Sequence, residues 1–510
     1  MLASVATFAI DGIDSREVTV EVDVRLGLPT FTVVGLPDRA VRESRERVRA
    51  ALQNSGFDFP QKRVTVNLAP AYFRKAGASF DLAIAVAVLG ASGQVPREPL
   101  ERCAVSGELS LTGALRPALG ALATAAGARR AGLVRLLVPD RDAGEAAWIE
   151  GLEVIAVPSL ARLADLLHGR WDPDPAAPAP PRAPASVPDL ADVRGQEDAR
   201  RALEIAAAGG HNLLMVGPPG AGKTMLARRL PGILPPPALA ESLEITQIQG
   251  VAGIGDGHLA RERPFRAPHH TISPQGLTGG GAIPRPGEAT LAHRGVLFLD
   301  ELGEFSRPAL DSLRQPLEER RIEIVRGQQM VAFPAAFALV AACNGCPCGR
   351  PQSDCDCGVQ AIDRYARRLS GPLIDRIDLT CRVEAVPPAR LVAGEAAAGE
   401  SSAAVRVRVV AARERQQARL AALGVPAERP VHCNAEMGPA LTRRVVPLDG
   451  DVGESLLRMA ERRMLTARGY GRVLLVARTI ADLEARERMT ADDLHEALGF
   501  RIGAAELMAA

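Results

Sequence analysis

The sequence predicts an α/β chain of several domains: a mixed α+β N-terminal domain, an α/β core around a parallel sheet, and a helical C-terminal part. Three observations predict it. Trp171 to Pro188 reads WDPDPAAPAPPRAPASVP, with seven prolines and almost no large apolar side chain. Such a stretch cannot pack a core and behaves as an extended spacer. Three short apolar runs, His211 to Gly217 (HNLLMVG), Gly295 to Glu301 (GVLFLDE) and Ala336 to Asn344 (AFALVAACN), are separated by helical segments. That is the pattern of strands covered on both faces of a parallel sheet. From about Pro387 the chain becomes Arg/Ala/Glu-rich and helical in pattern.

These signals divide the 510 residues into an N-terminal domain (1–170), a Pro-rich linker (171–188), a core (189–386) and a C-terminal helical lid (387–510). In the first part, Glu17 to Val24 and Arg63 to Leu68 alternate with period two and read as strands. Asp38 to Asn54 carries apolar Val41, Val48 and Leu52, with Gly56 just beyond, and reads as an amphipathic helix with a glycine stop. Its stripe of Arg42, Arg45 and Arg49 reads as a solvated face rather than a nucleic-acid contact.

Lys+Arg is 61 against Asp+Glu 60, so no global basicity advertises nucleic acid, and any basic surface has to be local. Apolar stretches such as Leu82 to Ala91 fall well short of the roughly 18 residues of a spanning helix. The N-terminus MLASVATFAID has no basic lead, so no signal peptide is expected. The expectation is a soluble cytoplasmic protein without a membrane partner.

Gly217-Pro218-Pro219-Gly220-Ala221-Gly222-Lys223-Thr224 matches G-x-x-x-x-G-K-[S/T], after a strand and before the helix-like MLARRL. Glycines let backbone N–H groups turn inward on phosphate, Lys223 can reach the β- and γ-phosphates, and Thr224 can hold Mg²⁺. Lys223 is one of only three lysines, with Lys62 and Lys75. Asp300 and Glu301 end an apolar strand, where Asp300 would orient Mg²⁺ and Glu301 would activate the attacking water. Asn344 ends the next strand, where it could also position that water. ATP and Mg²⁺ are the expected cofactors.

Five stretches carry a family resemblance: RPFRAPHHTIS (Arg263 to Ser273), PGEATLAHRGVLFLDEL (Pro286 to Leu302), LRQPLEERR (Leu313 to Arg321), LSGPLIDRIDL (Leu369 to Leu379) and TARGYGRVLLVARTIADL (Thr466 to Leu483). Together they resemble the magnesium-chelatase-like AAA+ ATPases, nearest the ComM/YifB competence-protein family. The resemblance implies an AAA+ core with a helical lid, Asn344 as sensor 1, Arg376 as an arginine finger offered to a neighbouring subunit, and Arg468 as sensor 2. A finger in trans implies a ring, here a hexamer.

The long interval between Lys223 and Asp300 contains, around Gln249 to Pro286, a Gly/Pro/His/Arg-rich surplus that resembles the helix-2 insert of this clade. RIEIVRGQQMV (Arg321 to Val331) resembles the presensor-1 hairpin, making Arg326 and Arg266 candidate DNA-backbone contacts. The N-terminal domain resembles a Lon-type protease domain. Its serine would fall at Ser79, but Leu122 marks the stretch that should supply the catalytic lysine and has none. Without a base to take its proton, Ser79 is an ordinary hydroxyl. The implied activity is an ATP-driven DNA helicase or branch-migration motor serving natural transformation and recombination. The alternative is a chelatase-type ATPase that remodels a protein client.

Five of the eight cysteines lie between Cys343 and Cys357. Cys346, Cys348, Cys355 and Cys357 form two C-x-C pairs, enough thiolates to close a tetrahedral Zn²⁺ site, with free thiols as the alternative. Cys103, Cys381 and Cys433 read as core residues.

Overall fold

The computed structural model describes residues 1–181, 186–281, 283–326, 329–348, 350, 355–368, 371–386, 399–425, 431–447, 452–456, 458 and 466–501. Parts of the expected linker, hairpin turn and lid (182–185, 327–328, 387–398 and 459–465) thus lie outside the described residues, as does Leu369 of the fourth family stretch. The chain forms two compact units, one of residues 1–183 with 238–261 and one of 184–237 with 262–510.

In the first unit, β1 (Leu2–Asp11), β2 (Asp14–Arg25), β3 (Thr30–Val34), β4 (Arg63–Ala69), β5 (Cys103–Val105), β6 (Arg135–Pro139) and β7 (Glu153–Val157) make one mixed sheet in the order β3-β4-β2-β1-β5-β6-β7. The register sets Val20 opposite both Val5 and Leu68, and alternation along β2 buries Val18, Val20, Val22 and Val24. Helix α1 (Arg39–Asn54) starts where the Asp38 carboxylate accepts from Val41 N at 2.8 Å, and buries Val41, Val48 and Leu52. Arg42 and Arg45 lie on its exposed side. Helix α2 (Asp81–Ser92) is apolar all round and buried along nearly its whole length, as such a helix must be. Helix α3 (Ala121–Arg130) buries Leu122.

The helix Leu239–Ala252 packs on α3 within this first unit and buries Ile245 and Ile248, with Gln247 Nε2 donating to Ile13 O at 2.7 Å. A division at the linker alone therefore does not describe the chain. Residues 238–261 come from the stretch assigned to the core, and their apolar face is covered by the N-terminal sheet's own helix.

The second unit carries β8 (Leu213–Val216), β9 (Phe265–Arg266), β10 (Val296–Leu299), β11 (Arg321–Arg326), β12 (Gln329–Pro334), β13 (Ala338–Cys343) and β14 (Leu379–Arg382). Five of these form a wholly parallel sheet in the order β9-β10-β13-β8-β14, while β11 and β12 make a separate antiparallel hairpin. The helices α4 (Glu197–Gly209), α5 (Lys223–Ala227), α6 (Ser402–Ala422), α7 (Ala467–Leu483) and α8 (Ala491–Gly499) share one core with the sheet. In it Met215, Val340 and Cys381 meet Ile205, Val409, Val473 and Leu494. The C-terminal part is helical as expected, but it is not an appendage with a core of its own.

Candidate active site

Parallel strands end together, so the residues leaving β8, β10 and β13 are collected at one edge of the sheet. Val216 pairs with Cys343 and Leu299 with Ala341, which brings the glycine loop, Asp300 and Asn344 to that edge. Gly220 (φ +78) and Gly222 (φ +96) hold left-handed conformations that side chains disfavour. A Cβ at Gly217 would lie 2.0 Å from Val383 O. These glycines are therefore required by the turn itself.

Lys223 opens α5, and its Nζ donates to Gly217 O at 2.7 Å, Pro218 O at 2.9 Å and Asn344 Oδ1 at 3.2 Å. Burial lowers its pKa, partly offset by the charges of Asp300 and Glu301. Burial in turn pushes the Cys343 thiol up to about 12, so Cys343 is a neutral neighbour. Thr224 Oγ1 donates to Asp300 Oδ2 at 2.6 Å, and Asp300 Oδ1 accepts from Glu301 N at 3.0 Å. The paired hydroxyl and carboxylate are hard oxygen donors suited to Mg²⁺.

Glu301 sits at φ +53, a strained conformation for a residue with a Cβ, and its side chain is 61% exposed. His270 Nδ1 lies 3.6 Å from Glu301 Oε2, its ring set between His269 (4.1 Å between centroids) and Phe305 (6.4 Å). His270 belongs to the family-like stretch Arg263 to Ser273, but no sequence signal singled it out. Sequence reasoning also missed Gln196, whose Nε2 donates to Ala221 O of the glycine loop at 3.3 Å and to Glu384 O. Gln196 lines a cleft of about 550 Å³ together with Gly195, Thr380, Arg382 and Phe500.

A second cluster holds Arg376 and Arg468. Arg376 is 7% exposed and its Nη2 lies 2.6 Å from Glu318 Oε1, while Arg468 Nη2, from the first turn of α7, lies 2.8 Å from the same oxygen. Glu318 belongs to the short helix Arg314–Glu319. No sequence signal pointed to it beyond its place in the LRQPLEERR stretch.

Arg266 departs from expectation. It lies on β9, with Nε 2.6 Å from Glu288 Oε2 and Nη2 2.7 Å from Glu288 Oε1, a bidentate pair that occupies the guanidinium fork. The arginine expected as a DNA-backbone contact is thus paired with a carboxylate of its own chain. Arg326 ends β11, and its side chain lies outside the described residues. On the same hairpin Val325 and Met330 are exposed.

The four thiols gather as the spacing suggested, with the Sγ atoms of Cys346, Cys348, Cys355 and Cys357 within 4.8 Å of one another. The separations are 3.2 Å for Cys346–Cys348, 3.5 Å for Cys346–Cys355 and 3.6 Å for Cys348–Cys355. A tetrahedron of thiolates at ~2.3 Å from one Zn²⁺ has edges of ~3.8 Å, so the donor set fits that ion. A bond from Arg350 N lowers the Cys348 pKa to about 7, which favours the thiolate that a metal needs. In the first unit, Ser79 lies in the turn Ala78–Phe80 and the buried Leu122 sits on α3, so the serine gains no base from that position.

Family models of the magnesium chelatase subunit ChlI match residues 189–391 and 20–142, and its C-terminal model matches 399–501. The chain is 42% identical to YifB of Salmonella typhimurium over 502 residues, covering 98% of this chain and 97% of that one. It is 41% identical to the competence protein ComM of Haemophilus influenzae over 508 residues, again 98% and 97%. A shorter similarity, 27% over 219 residues, links 40% of this chain to 46% of RuvB, a subunit of the Holliday junction branch migration complex of Saccharopolyspora erythraea. Among the described residues no helix is long and apolar enough to cross a membrane. With relatives aligned end to end and the parallel-sheet core in place, the chain belongs to the ComM/YifB family of magnesium-chelatase-like AAA+ ATPases.

Proposed function

We propose that this chain is a cytoplasmic, ATP-driven DNA motor that works as a hexameric ring and promotes integration of incoming single strands by branch migration. The observation that carries the reading is the convergence of Lys223, Thr224, Asp300, Glu301 and Asn344 at one edge of the parallel sheet. Each has a role there. The N–H groups of Gly220, Gly222, Lys223 and Thr224 cradle the phosphates, and the Lys223 ammonium exchanges its carbonyl partners for phosphate oxygens. Thr224 and Asp300 would hold Mg²⁺, which neutralises phosphate charge. Glu301 takes the proton of the attacking water, and Asn344 orients that water. Gln196, which donates to Ala221 O of the loop, also lines the cleft that would take the base and ribose. Arg376 reaches a neighbouring subunit's nucleotide, so turnover requires the ring.

The DNA role is supported by likeness to a competence protein and to a branch-migration subunit. Contacts would go to phosphates near Arg326 and so would be insensitive to sequence and weakened by salt. The test is steady-state ATP hydrolysis with and without single-stranded and forked DNA across a salt series. Strong stimulation that fades with salt is expected. Hydrolysis indifferent to DNA would overturn the DNA role and favour a protein client of the chelatase kind.

The thiol cluster begins two residues after Asn344, and Zn²⁺ held by Cys346, Cys348, Cys355 and Cys357 would pin the end of the β13 loop. Elemental analysis should find about one zinc per chain. Less than about half would favour free thiols.

A further inference from the structure

The loop that leaves β9 and the acids that leave β10 emerge side by side, because the two strands are parallel neighbours with Arg266 paired to Leu297. That loop carries His269 and His270. His269 is tied into its own turn, Nδ1 lying 2.9 Å from Thr271 Oγ1 and its O accepting from Ile272 N at 3.0 Å. Its ring lies 4.1 Å from that of His270, tilted by 33°. The buried Phe305 meets His270 edge-on, at 6.4 Å and 75°. Phe305 and Glu301 flank the short turn Leu302–Glu304. One segment thus supplies both the ring that His270 rests against and the carboxylate that its Nδ1 faces at 3.6 Å.

Glu301 needs such a neighbour. Its backbone is fixed, N donating to Asp300 Oδ1 and O accepting from Glu304 N at 2.8 Å. Its side chain, largely exposed, is a carboxylate on a flexible stem with several staggered rotamers open to it. A base works only when one oxygen stands within hydrogen-bond reach of the water it deprotonates. We propose that His270 is the positioning residue for Glu301. With the proton on Nδ1 it donates to Oε2, which leaves Oε1 to take the proton of the attacking water. A hydrogen bond of this kind is long in the free enzyme and closes when substrate is bound. The inference rests on the reading of Glu301 as the base of ATP hydrolysis. His270 acts through Glu301 and not on the nucleotide, so it governs turnover and leaves affinity alone.

The experiment is steady-state hydrolysis by the full-length chain at saturating ATP and Mg²⁺, in whichever of the DNA-free and DNA-bound conditions the parent turns over faster. The Kd of a fluorescent, slowly hydrolysed ATP analogue is measured alongside. His270→Phe keeps a ring between His269 and Phe305 and removes the donor. It should lower kcat about 10- to 100-fold and leave the Kd within about two-fold. His270→Asn loses the ring but returns an N–H near the place of Nδ1, and should bring kcat back to within about five-fold of the parent. A ring that served packing alone would reverse this order, with Phe tolerated and Asn damaging. A loss of less than about three-fold in His270→Phe, or an Asn chain slower than the Phe chain, overturns the proposal. Should the Phe chain not bind the analogue, His270→Leu takes its place under the same criteria. If Glu301→Gln keeps the parent's turnover, the assignment of the base fails, and that failure is separate from the order of the His270 variants.

Discussion

Each unit contains a buried lysine that donates to the carbonyls of its own loop. Lys75 in the first unit bonds to Pro70 O and to Phe73 O (3.0 Å) and lies 4.1 Å from the Phe73 ring centroid. Lys223 in the second bonds to Gly217 O and Pro218 O. Burial lowers the pKa of both. They differ in what else stands near. Lys223 also meets Asn344, while the residue after it, Thr224, is joined to Asp300. Lys75 meets its own loop and an aromatic ring. A buried lysine with a depressed pKa is thus no sign of chemistry by itself. A lysine at the carboxyl edge of a parallel sheet, with a hydroxyl, a carboxylate and an amide beside it, is one.

Three experiments can break or sharpen that contrast. The largest effect is expected for Lys223→Ala, which should abolish nucleotide binding and reduce hydrolysis by about 10³-fold or more. Retained turnover would erase the distinction between the two lysines. Lys75→Met should leave hydrolysis within about two-fold while lowering the first unit's melting transition, because two buried carbonyls lose a donor at a cost of roughly 1–3 kcal/mol. If turnover collapsed instead, the first unit would take part in the chemistry.

The third experiment concerns Glu145, where burial, reinforced by Asp142 and Asp256 and opposed by a bond from Leu122 N, raises the carboxyl pKa to about 7. A raised folded-state pKa contributes stability that is complete below the ordinary value of 4.5 and is lost as pH rises through 7. Glu145→Gln should flatten this part of the pH profile and make the first unit more stable than the parent at pH 8.5, by up to about 3 kcal/mol. Thermal unfolding across pH measures it, and hydrolysis should not follow it.

The glycine loop and the strand-end acids were legible in the sequence because their chemistry is local: a turn that needs glycine, and an apolar run that ends in carboxylates. Three of the five strands of the parallel sheet were equally plain, since a strand buried on both faces is apolar throughout; β9 and β14, which carry Arg266 and Arg382, gave no such run. Glu318 was not legible. Its meaning depends on Arg376 and Arg468, distant in sequence, meeting at one oxygen, and nothing in LRQPLEERR marks one acid above its neighbour. The partner of Arg266 was hidden for the mirror-image reason. An arginine in a polar insert looks available until Glu288, 22 positions away, closes on it. The C-terminal helices were recognised as helices, but periodicity shows only that a face is apolar and not that the sheet is what covers it.

The placement of residues 238–261 in the first unit has a consequence for how the molecule is held together. The chain passes between the units three times: near the proline-rich spacer, after Pro237 and again after Arg261. A single spacer would leave two beads on a string. Three covalent passages join the units instead: the second leaves the nucleotide unit downstream of α5 and the third returns just before β9. Cutting the chain at the spacer would not separate two intact bodies, because it would leave the helix Leu239–Ala252 attached to the nucleotide unit with Ile245 and Ile248 stripped of their cover. Residues 238–261 are therefore tied by backbone at both ends to the unit that carries the glycine loop, between α5 and β9.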